Sequence, residues 1–110
     1  MPQTAPINST DIYANGVQTT LDITAAAVIK ASPGHIGKIV VVAPGTTSGS
    51  LVVNDSATTA GAATANQILN IAFGSMTAGQ VISLGFPCKN GIVVSAVPTA
   101  GSPQYCMSWS

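Results

Sequence analysis

Glutamate and arginine are missing from this chain, and charge of either sign is scarce. The acidic residues are Asp11, Asp22 and Asp55, set against Lys30, Lys38 and Lys89, for a formal net charge of zero. Charged residues make up 5% of the sequence, where about a quarter is usual. Three scattered lysines cannot build the basic footprint that nucleic acid requires. Three carboxylates on no shared element supply neither the acid–base pair of a glycosidase nor the ligand shell of a calcium site. Aromatics are also few, at 5%, and no apolar run approaches the ~18 residues of a membrane span. The opening MPQTAPINSTDIYANG lacks the basic start and apolar core of a signal peptide, so synthesis in the cytoplasm is expected.

Cys88 and Cys106 match no zinc spacing. Free buried thiols are the expectation for a protein made inside the cell, with a disulfide as the alternative. His35 is the one imidazole and stands beside Gly34, where a solvated turn residue is the ordinary reading. No nucleophile elbow, phosphate loop or dinucleotide fingerprint occurs. Asp55, between Asn54 and Ser56, reads as an Asx-turn at the start of a loop. No enzyme activity, cofactor, metal or small-molecule substrate is therefore expected.

What the chain does have is short β-type runs separated by turn chemistry. Residues 28–55, VIKASPGHIGKIVVVAPGTTSGSLVVND, hold three apolar runs broken by Ser32-Pro33-Gly34 and by the Pro44–Gly49 loop. β-Branched side chains suit a pleated, half-buried surface, and the segment reads as an antiparallel meander. Upstream, GVQTTLDI places Val17, Thr19, Leu21 and Ile23 on one parity. Downstream, the Ala/Thr-rich stretch Asp55–Asn66 reads as a surface loop that carries a strand from one sheet to the other. Leu69, Ile71 and Phe73 alternate, as do Ile82, Leu84 and Phe86, with Gly74–Gly79 closing a hairpin between the two runs. Asn90-Gly91 signals a further hairpin. Ile92–Val97 is near-continuously apolar, as in a strand covered on both faces. Tyr105, Met107 and Trp109 share one parity at the end of the chain.

About eight short strands at intervals of roughly 8–12 residues predict an all-β sandwich or jelly roll over residues 16–110. Residues Met1–Asn15, with Pro2 and Pro6, predict an extended N-terminal arm that a partner orders, through Ile7, Ile12 and Tyr13. A surface this poor in charge is poorly protected against association, so a homo-oligomer, dimer or trimer, is expected. Lys30 and Lys38 read as solvent-facing or edge-guarding lysines, or as contacts to an acidic partner surface. Trp109 on its apolar face is a further candidate contact.

The residues Ile29-Lys30, Pro33-Gly34, Lys38, Asn54-Asp55 and Gly91-Ile92-Val93-Val94 resemble the pattern of a widespread group of small tailed-bacteriophage proteins. The resemblance spans residues 28–97 and rests on turn residues and strand spacing. It implies a virion structural protein: a capsid decoration or cement protein that binds itself and the major capsid protein. A head-fibre base, tail or baseplate module is the alternative within that setting. A carbohydrate- or receptor-binding module is the alternative outside it.

Overall fold

The structure, a computed structural model, describes residues 18–110; the predicted arm, with Ile7, Ile12 and Tyr13, lies outside them. The strands are β1 (Gln18–Ile23), β2 (Ala27–Lys30), β3 (Gly34–Ala43), β4 (Ser50–Asn54), β5 (Gln67–Ala72), β6 (Val81–Cys88), β7 (Ile92–Ala96) and β8 (Gln104–Trp109). They form two four-stranded antiparallel sheets: a front sheet ordered β1-β8-β3-β6 and a back sheet ordered β2-β7-β4-β5. This strand order is that of an eight-stranded jelly roll. Between the sheets lie Ile36, Ile39, Val41, Leu51, Val53, Ile92, Val94, Tyr105 and Met107, each at most 1% exposed. The Tyr105 hydroxyl reaches out of that core to donate to the carbonyl of Pro44 at 3.2 Å.

The expected meander is not what the chain makes. β2 and β4 belong to the back sheet and β3 to the front, and none of the three pairs with another. Only β4 and β5 are both consecutive and paired. The long 55–66 connection therefore joins neighbours within one sheet, whereas the turns at residues 73–80 and 89–91, expected as hairpins, carry the chain from sheet to sheet. Turn residues reverse a chain equally well in either setting, so their chemistry does not reveal which partner the next strand takes.

Two parities also shift. Asp22 adopts φ 57° at an irregularity between Thr20 and Ile23, so Ile23 turns into the core while Leu21 stays 68% exposed. Gly85 at φ 55° falls within a second irregularity and leaves Phe86 43% exposed, apart from Ile82 and Leu84. The β7 reading holds, because that strand is interior and Ile92, Val93 and Val94 are fully buried.

At one end of the sandwich the crossings β2→β3 and β6→β7 meet. A Cβ on Gly91 would come within 2.5 Å of the Ser56 carbonyl and 2.6 Å of that of Lys30. A Cβ on Gly34 would strike the Ser110 carbonyl. Asp55 fastens this corner: its carboxylate accepts the backbone N–H of Asn90 at 2.8 Å, of Lys89 at 3.1 Å and of Gly91 at 3.3 Å. Partial burial pushes this carboxyl up, but the three N–H donors and the Lys89 charge outweigh it and hold the group below its ordinary 3.8. A carboxyl lowered by folding contributes stability that is complete above its unfolded value and disappears as pH falls through the folded one. Asp55→Ala is expected to cost about 1–2 kcal/mol near neutral pH, the range of a lost cap. The difference in urea midpoint from the parent should shrink as pH falls below the ordinary carboxylate range.

Candidate interaction surface

The two outer faces of the sandwich are finished differently. On the back sheet the outward residues of β4 and β7 are themselves covered: Val52 is 8% exposed, Asn54 1% and Val93 0%. The 55–66 loop folds against this face and is tied to it through Asn54. The Asn54 amide donates to the Ala63 carbonyl at 2.9 Å and to Asn66 Oδ1 at 2.7 Å, while its oxygen accepts the Ser95 hydroxyl at 2.6 Å. Asn66 in turn accepts from Ala63 N–H at 3.0 Å and donates to the Gly61 carbonyl at 3.0 Å. A buried amide whose donors and acceptor are all used is a stable arrangement. Beside it lies an open, uncharged depression of about 360 Å³ lined by Asn54, Thr59, Ala63, Gln67 and Ser95.

The front sheet carries no such cover from the described loops. Val40 pairs with Val81 on one side and Cys106 on the other, and Leu21 lines the same shallow depression of about 240 Å³ as Val40 and Cys106. These four residues make an apolar row across all four strands, with Leu21 68% and Val81 55% exposed. The next row is polar: Ser83 opposite Lys38, and Ser108 opposite Thr19. The Lys38 N–H donates to Ser108 Oγ at 2.8 Å, binding the polar row together. On the far side of the apolar row, Val42 is 43% exposed.

The residues singled out in the sequence divide between two places. Lys30 and Trp109 come together at the corner, with the Lys30 ammonium 5.9 Å from the centre of the indole, within cation–π range. The indole packs against the core, and its N–H donates to Thr20 Oγ1 at 2.9 Å. Trp109 thus ties β8 to β1 and supports the Lys30 stem. Lys38 lies apart from this pair, on the outer face of the front sheet. Since β3 runs between β8 and β6, Lys38 guards no sheet edge. His35 belongs to β3 rather than to a turn, and its backbone exchanges two 2.9 Å hydrogen bonds with Ser110. Among the described residues, no three His, Cys, Asp or Glu side chains gather where a metal could be held. Nor is any helix among the described residues long and apolar enough to cross a membrane. The sequence marks neither Leu21 nor Val81 as a contact residue, and it presents Asn54 only as a motif position and Cys106 only as a thiol, although the alternation in β3 and β6 already sets Val40 and Val81 outward.

The eight-stranded jelly roll is the class this topology defines. No family model, curated protein or solved structure matches the chain.

Both cysteines are free, and they differ sharply. Cys88 is 3% exposed, and burial together with the Asp55 charge pushes its thiol up to about 11. Cys106 is half-buried on the opposite side of the front sheet, where Tyr105 and Met107 take the core parity. The expectation of two buried thiols thus holds for Cys88 alone. Ellman's reagent should titrate one thiol per chain in dilute native protein and two after denaturation. Cys106→Ser should abolish the native reaction, and Cys88→Ser should leave it intact.

Proposed function

We propose that this chain is a structural protein of a tailed-bacteriophage virion, a capsid decoration or cement protein that bridges neighbouring coat subunits. The observation that carries the reading is a jelly roll with almost no charge and, on one outer face, an apolar row that no described segment covers. Jelly rolls recur among viral capsid proteins and lectins, and that fold-level analogy is joined here to the sequence resemblance over residues 28–97. Fold alone does not assign function; the surface chemistry supplies the second support. Among the described residues Tyr105 is buried and the Trp109 ring is engaged by the core and Lys30. Neither offers the open aromatic platform that favours the carbohydrate-binding alternative.

The mechanism is burial. Each 100 Å² of apolar surface covered contributes about 2.5 kcal/mol before ordering costs are subtracted. Repetition over a symmetric shell multiplies weak single contacts. The residues proposed to attach to the coat are Ile7, Ile12 and Tyr13 of the N-terminal segment, with Lys30 at the corner.

Quantitative mass spectrometry of purified particles, read with a cryo-EM map, tests this. Many copies on the capsid lattice are expected. A few copies at the tail or baseplate would shift the assignment to the alternative virion module, and absence from the particle would overturn the reading. Deleting residues 1–15 is expected to leave the melting temperature nearly unchanged and to weaken attachment to undecorated capsids at least tenfold. Specific retention on a glycan array by the full chain would favour the lectin-like alternative instead.

A further inference from the structure

We propose that the outer face of the front sheet is a dimerisation face, on which a second copy of this chain packs with its apolar row against the same row. The inference shares this face with the virion reading but not its test: a dimer holds or fails in solution whether or not the chain is found on a particle. The chain's own loop covers β4 and β7 of the back sheet, where Val28 of β2 is left 44% exposed, whereas Leu21, Val40, Val81 and Cys106 form a continuous strip across the front sheet with no described segment over it.

The pattern of rows favours a second copy as the occupant. In a face-to-face dimer whose two-fold axis runs along the apolar row, each residue of that row meets its own counterpart. The flanking rows exchange sides. Lys38 precedes Val40 by two residues and Val42 follows it by two, so each lies about 7 Å from the axis, on opposite sides. The aliphatic stem of Lys38 then covers Val42 of the other copy, with its ammonium free to reach solvent. The two Lys38 charges are held ~13 Å apart, beyond the ~8 Å screening length at physiological salt. The one charge in these rows therefore never meets itself. A net charge of zero adds no long-range repulsion between copies.

Four strands at ~4.8 Å spacing and about eight residues in length give a face of roughly 500 Å² per copy. That places the dimer at the small end of specific interfaces. Packed sheets lie ~10 Å apart, which sets paired Cys106 residues too far apart for a direct disulfide but within reach of a short linker.

The full-length protein is examined by sedimentation equilibrium from 0.5 to 200 µM. In parallel, a two-carbon bis-methanethiosulfonate is applied and the products are run without reductant. A monomer–dimer equilibrium is expected, with a covalent dimer formed by the parent and by Cys88→Ser but not by Cys106→Ser. The rate at which Cys106 reacts with Ellman's reagent should fall as protein concentration rises. Leu21→Lys and Val81→Lys, at sites already exposed to water, should keep the parent circular dichroism and weaken the dimer on the order of 100-fold by burying unpaired charge. A dimer that these variants leave intact and that is not captured through Cys106 would place the interface elsewhere. A monomer with reactive Cys106 at every concentration would make the face a docking site for a different protein. A monomer with unreactive Cys106 would mean that the chain covers the face itself. Each of these three results overturns the proposal.

Discussion

The close approach of three backbone segments at one corner is the constraint on which this sandwich depends. Gly91 passes so near the carbonyls of Lys30 and Ser56 that even a methyl group would displace one of them. The strands that meet there, β2, β4 and β7, belong to one sheet, while the strands just before and after, β3 and β6, belong to the other. Asp55 then converts the approach into a bonded junction by gathering the N–H groups of Lys89, Asn90 and Gly91.

That geometry gives physical content to the motif positions. Lys30, Gly34, Asp55 and Gly91 are far apart in sequence, yet they converge on the same end of the molecule. Leu51 and Val53 point into the core on the strand that delivers Asp55 to the corner. The spacing of apolar residues before the aspartate is therefore the spacing needed to bury one face of β4 while its carboxylate escapes at the end. Lys30 fits the same scheme, since its stem lies against Gly34 and its ammonium over Trp109.

Strand existence was legible because β-branched runs and turn residues alternate cleanly, and all eight strands fall where those runs fall. Pairing was not, because turn residues reverse the chain whether or not the next strand lies beside the last, and only one of the seven connections joins neighbours in a sheet. Facing was lost where one strand residue took a left-handed conformation: Asp22 turns Ile23 inward after an outward Leu21, and Gly85 turns Phe86 outward after an inward Leu84. Asn54 was hidden for a different reason. A polar residue before a loop ordinarily faces water, and its burial follows only from the loop folding back over it. The apolar strip on the front sheet was partly visible, since β3 carries valines on both parities. Its extension to Cys106 and Leu21 required knowing that β8 and β1 lie alongside.

The place of β8 within the front sheet has a consequence for how the molecule comes into being. During synthesis β2, β4, β5 and β7 all emerge before β8, so the back sheet has every strand it needs while the front sheet still has a gap between β1 and β3. Until the 104–109 segment is free to insert, β3 has only β6 beside it, and Ile36, Ile39 and Val41 lack the cover of Tyr105 and Met107. Closing the front sheet therefore waits on this one segment. The last strand to appear is the one that joins β1 to the rest. Since nearly all pairings span distant parts of the chain, closure belongs in the slow, millisecond-to-second class of β-sandwich folding.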